Sequence, residues 1–96
     1  MLLYLVPIDE GPAILVEGTV LVVGRHPRCD SQLASLRVSR QHCCITSSDG
    51  EVRVRDLGST NGTWINGRRV DHAVLRPGDV LSIAHLRYRM DTRCVE

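Results

Sequence analysis

The stretch RDLGSTNGTWINGRRV, residues 55–70, holds Gly58, Gly62 and Gly67 among Ser59, Thr60, Asn61 and Asn66, with Trp64 in its middle. Two Asn-Gly pairs fall within it. Asn-Gly is a strong hairpin signal, because a tight two-residue turn needs positive φ at both central positions. Such a segment either only turns the chain or also presents its polar groups to something outside. No acid–base pair or metal-ligand cluster sits among these turn formers.

Strand signals surround this stretch. LLYLV (2–6) stops at Pro7, AILV (13–16) at Glu17-Gly18, and TVLVVG (19–24) at Gly24. HCCIT (42–46) runs into a turn at Asp49-Gly50. EVRVRDL (51–57) alternates, with Val52, Val54 and Asp56 opposite Arg53 and Arg55. TWIN (63–66), VLSIA (80–84) and LRYRM (86–90) complete the series, and RPGD (76–79) supplies a Pro-Gly turn. No helical period persists. Short strands punctuated by turns predict an all-β fold, an antiparallel sandwich or barrel. The longest irregular stretch is RHPRCDSQLASLRV, residues 25–38. A loop of that length in a compact β domain is a candidate for function.

The 96 residues suit one domain, residues 1–96, and 43% hydrophobic content is enough to fill a core. The net charge of +1 gives no bulk field to drive the chain onto nucleic acid or a membrane, so neither is an expected partner. Every basic residue other than histidine is arginine, whose planar fork suits carboxylate and phosphate. MLLYLVPIDEGP lacks a basic segment ahead of its apolar run, so no secretory leader is expected. Cys43 and Cys44 are adjacent and would face opposite sides of a strand, a poor disulfide pair. With Cys29 and Cys94 they are expected to be reduced thiols of a cytoplasmic protein, Cys29 and its like packing as small hydrophobes.

Three separated pieces carry a resemblance: Gly24-Arg25, then Ser39-Arg40-x-His42, then Ser59-Thr60-Asn61-Gly62-Thr63-x-x-x-Gly67. Their order and the strands between them resemble the forkhead-associated (FHA) domain, a phosphothreonine-reading module, with a diagnostic core at about residues 20–88. The resemblance implies an FHA/SMAD-like fold, an antiparallel β-sandwich of about eleven short strands with its binding loops at one end. It implies phosphate binding by Arg25, Ser39 and Arg40, and contact of Thr60 and Asn61 with the peptide. Gly24, His42 and Gly62 would be structural parts of the motif, with His42 tying two loops together. Arg37, two residues before Ser39, sits where some members read the side chain three places after the phosphothreonine. The partner implied is a protein phosphorylated by a Ser/Thr kinase, or a segment of the same chain. The alternative is a degenerate scaffold that associates without phosphate.

Other chemistries fit less well. Ser39 and His42, with Asp56 as orienter, suggest a hydrolase, but nothing in the sequence places the three together. His26-x-x-Cys29 and His42-Cys43 lack the paired spacing of a zinc site, and no Walker loop is present. No enzyme activity, cofactor or metal is expected. Arg53, Arg55, Arg87 and Arg89 read as a solvated sheet face. Trp64 is expected in the core. Ser31 and Gln32 are more polar than the resemblance leads one to expect after Cys29-Asp30, which leaves the packing of that loop open.

Overall fold

The computed structural model describes residues 2–9, 11–16 and 18–93; Cys94 lies outside them. The chain order is β1 (Leu2–Pro7), β2 (Ile14–Val16), β3 (Val20–Gly24), β4 (Ser31–Gln32), β5 (Cys43–Ser48), β6 (Glu51–Asp56), β7 (Thr63–Ile65), β8 (Arg68–Arg69), β9 (His72–Leu75), β10 (Val80–Ile83) and β11 (Leu86–Arg93). One sheet runs β2-β1-β11-β10-β7-β8 and the other β4-β3-β5-β6-β9. Pairing is antiparallel throughout except between β3 and β4, which run parallel. Strands β4, β8 and β9 escape a reading by period. Two of them have two residues each, and β9 alternates weakly between exposed His72 and buried Leu75.

The period of two decides what lies between the sheets. In β6, Val52 and Val54 are buried while Glu51, Arg53 and Arg55 are exposed. Leu5, Leu81, Ile83, Tyr88 and Met90 from the first sheet meet Val23, Cys43, Ile45, Val54 and Leu75 from the second. Each large aliphatic side chain so buried contributes about 1.5–3 kcal/mol. Burial pushes the Cys43 thiol up to about 12, with the neighbouring Cys44 adding to the rise. Cys43 is therefore a hydrophobe here rather than a nucleophile. The solvated face holds as a placement: Arg53 pairs with Glu51 and Arg87 with Asp9, both at the surface.

Two expectations change. Thr63 is fully buried, so its β7 neighbour Trp64 faces outward and is only half-buried. Cross-strand pairing with Arg69 puts that guanidinium 5.9 Å from the centre of the Trp64 ring. Cys29 is outside the core as well; it is partly exposed and its thiol donates to the Arg40 carbonyl at 3.1 Å.

Register places the loops. Val23 pairs with Cys43, and Cys43 with Asp56. The end of β3, the start of β5 and the end of β6 are therefore level. Residues 25–30, 33–42 and 57–62 must leave the second sheet at one edge.

Candidate phosphopeptide site

The two Asn-Gly pairs have different jobs. Asn66 and Gly67 have φ of 52° and 80° and join β7 to β8 as a two-residue hairpin turn. Asn61 is not part of a hairpin. Its Nδ2 donates to the Arg37 carbonyl at 2.7 Å, across to the loop before β5. One amide proton and the side-chain carbonyl remain free for a ligand. Its backbone carbonyl accepts from Trp64 Nε1 at 3.2 Å.

Arg25 follows the last residue of β3 and is braced at both ends. Its amide donates to the Ser39 carbonyl at 2.9 Å and its Nε to the Val38 carbonyl at 3.0 Å. The terminal amino groups of the guanidinium form no bond among the described residues. Gln32, the polar residue that departs from the family pattern, donates to the Arg25 carbonyl at 3.1 Å. It holds the loop rather than weakening it.

Ser39 is linked in three directions. Its carbonyl accepts the Arg25 amide, its amide donates to His42 Nδ1 at 3.1 Å, and its Oγ accepts the Thr60 amide at 3.1 Å. The hydroxyl proton is left to donate elsewhere. His42 is wholly buried, and its Nε2 lies 2.7 Å from the Gly62 carbonyl. Acceptance at Nδ1 and a carbonyl at Nε2 fix the neutral tautomer with the proton on Nε2. His42 thus joins the loop before β5 to the loop after β6. Both ring nitrogens are taken and no bond runs from Ser39 Oγ to the imidazole, so the serine has no base. Asp56 is bonded elsewhere, so Ser39, His42 and Asp56 do not form the hydrogen-bonded chain of a triad.

The partners of Asp56 are the loop it precedes. One carboxylate oxygen accepts the Gly58 and Ser59 amides, both at 3.0 Å. The other accepts the Ser59 hydroxyl and the Thr63 hydroxyl. Ser59 Oγ in turn accepts the Gly62 amide at 3.0 Å. Burial alone would raise the carboxyl. The bonds from Ser59, Thr63 and the two amides outweigh it and hold Asp56 below the usual carboxylate range. Sequence placed Asp56 only as a candidate orienter of His42 and Ser59 only in the motif; an Asp that accepts the amide two residues on, as Asp56 does from Gly58, is a known turn device.

Gly24 is required by space rather than by φ. A Cβ there would stand 2.2 Å from the Arg40 carbonyl oxygen, a backbone atom. That carbonyl also accepts the His26 amide at 3.1 Å. Gly24→Ala is expected to cost about 1–3 kcal/mol through forced backbone displacement. It should also weaken ligand binding, because Arg40 moves with the loop. A melting curve matching the wild type would show that the loop yields freely.

Arg25, Arg37, Ser39, Arg40, Thr60 and Asn61 line one open cavity of about 390 Å³. Gly24, His42 and Gly62 are not among its lining residues. The sequence did not single out Leu36, which also lines the cavity and is 90% exposed. Among the described residues no group of three His, Cys, Asp or Glu side chains could hold a metal ion.

The FHA domain profile matches residues 21–84. The chain belongs to the FHA domain family. It is 40% identical over 79 residues to the glycogen accumulation regulator GarA of Mycolicibacterium smegmatis, an alignment covering 82% of this chain and 50% of GarA. The chain spans about half the length of the curated relatives it matches. An FHA domain solved in a study of phosphothreonine-dependent FHA domain interactions superposes with a TM-score of 0.90 at 26% identity, covering 99% of this chain and 100% of that one. EmbR of Mycobacterium tuberculosis, solved with a low-affinity phosphopeptide, superposes with a TM-score of 0.89 at 26% identity over 94% of this chain and 24% of EmbR.

Proposed function

We propose that this FHA domain is a non-enzymatic, cytoplasmic module that binds phosphothreonine on a partner phosphorylated by a Ser/Thr kinase, or on its own chain. The observation that carries the reading is the state of Arg25. Its Nε is tied to a backbone carbonyl, its two terminal amino groups have no partner among the described residues, and it lines one cavity with Ser39 and Arg40. A pre-set fork of donors suits a dianionic phosphate. In this reading Ser39 donates its hydroxyl proton and the Arg40 amide adds a further donor. Thr60 approaches the phosphothreonine, and the free half of the Asn61 amide bonds the peptide backbone. The similar FHA domains solved in a study of phosphothreonine-dependent interactions, and in EmbR with a low-affinity phosphopeptide, support a phosphopeptide as the ligand.

The test is a titration with four peptides alike except for phosphothreonine, phosphoserine, glutamate or threonine at one position. The expected order has phosphothreonine tightest and phosphoserine weaker. Glutamate and threonine should bind poorly, since a phosphate carries about −1.5 to −2 charge and three acceptor oxygens. Equal affinity for all four would refute the proposal.

A further inference from the structure

The cavity at Asn61 and Arg25 does not end at Arg40. A second cavity is lined by Arg25, His26, Pro27 and Arg40, and a third by His26, Arg28, Arg40, Gln41 and Leu57. Arg25 and Arg40 are walls of both the first and the second; His26 and Arg40 are walls of both the second and the third. The three form one groove across the loop edge, with Arg37 and Asn61 at one end and Arg28 and Leu57 at the other.

Its charge is uncompensated. Arg28, Arg37 and Arg40 have no ion pair among the described residues. The carboxylate nearest in sequence, Asp30, is turned back to accept the Val22 amide at 2.7 Å. Asp56 is spent on its own loop. A chain of net charge +1 thus gathers four arginines on one edge with no ion pair to any acid among the described residues. His26 Nδ1 accepts the Arg28 amide at 3.0 Å, so in the neutral ring Nε2 carries a proton and is a donor. Leu57, 39% exposed, adds an apolar wall beside Arg28.

We infer that the Arg28 end of the groove is a second specificity subsite, which takes an acidic side chain of glutamate type on the flank of the phosphothreonine opposite to the one that meets Arg37. The inference rests on the phosphothreonine reading above. Arginine offers the carboxylate a fork, His26 and Gln41 add donors, and Leu57 covers the methylenes of a glutamate. The phosphate held at Arg25 and Arg40 sits midway, so one extended peptide spans both ends. About four residues of strand reach ~13 Å on either side at roughly 3.3 Å per residue.

The experiment is a glutamate scan through the roughly four positions on each side of the phosphothreonine, in an otherwise alanine-rich peptide. Wild type, Arg28→Ala, Arg28→Glu and Arg37→Ala are compared. Wild type should gain about 2- to 5-fold in affinity from glutamate on the Arg28 flank. Arg28→Ala should lose that gain while binding the all-alanine phosphopeptide as wild type does. Arg28→Glu should turn the preference against glutamate and towards arginine. Arg37→Ala should leave the Arg28-flank gain in place. Arg28 is exposed and only its amide is bonded, and a melting curve for each variant checks the fold. If phosphothreonine peptides bind but Arg28→Ala keeps every acidic preference, the subsite is refuted and the phosphothreonine reading stands. If no phosphothreonine peptide binds the wild type, both fall together.

Discussion

Arg25→Ala is expected to weaken phosphothreonine-peptide binding by more than about 100-fold. The two terminal amino groups have no partner among the described residues, and charge-assisted hydrogen bonds are worth about 1.5–3 kcal/mol each. Loss of two corresponds to ~3 kcal/mol or more. The fold should suffer much less. The residue also braces the Val38 carbonyl through Nε, and losing that bond costs about 0.5–1.5 kcal/mol. Arg25→Lys separates charge from geometry. It keeps the cation but has neither the fork nor the Nε brace, so a loss of about 10-fold or more is expected. Calorimetric titration with thermal unfolding of the same samples reads both effects. An Arg25→Ala variant that binds as tightly as wild type would remove the residue from the site.

Asp56→Ala acts on stability. Four donors lose their acceptor at once, two amides and the hydroxyls of Ser59 and Thr63, and both of those residues are buried. A partly exposed network leaves some donors reachable by water, so about 3–4 kcal/mol is expected rather than the full sum. For a domain of this length that lowers the melting temperature by ~15–25 °C. Binding should weaken too, because the loop from Gly58 to Gly62 carries Thr60 and Asn61. The pH dependence has a definite sign. The folded-state value of Asp56 lies below its unfolded value of about 3.9. Its contribution is fully present above that pH and is lost as pH falls through the folded value. Wild type and variant should therefore differ most near neutrality and converge below roughly pH 4. A difference in melting temperature that holds constant well into acid would mean that the charge of Asp56 does not act.

The sequence was informative wherever one residue's chemistry or a short period settles the matter. Alternation in EVRVRD fixes which face of β6 is buried, because a strand can put only every second side chain inward. Asn66-Gly67 specifies its hairpin because few other pairs tolerate positive φ twice. Gly24-Arg25, Ser39-Arg40 and Thr60-Asn61 could be named in advance because their order along the chain carries the family pattern. Tertiary structure alone decided what those residues touch. Whether Asp56 serves His42 or Ser59 depends on the register of β5 with β6 and on the path of the loop beyond, and spacing does not encode either. Trp64 faces out because its neighbour Thr63 takes the inward position, a choice of phase that hydrophobicity argues the wrong way. Gln32 supports Arg25 from the two-residue β4, too short to show a period. The groove from Asn61 to Arg28 is assembled from three loops that meet only because the strands carrying them end level. Sequence lists its arginines, but whether each has a carboxylate beside it is a property of the folded surface.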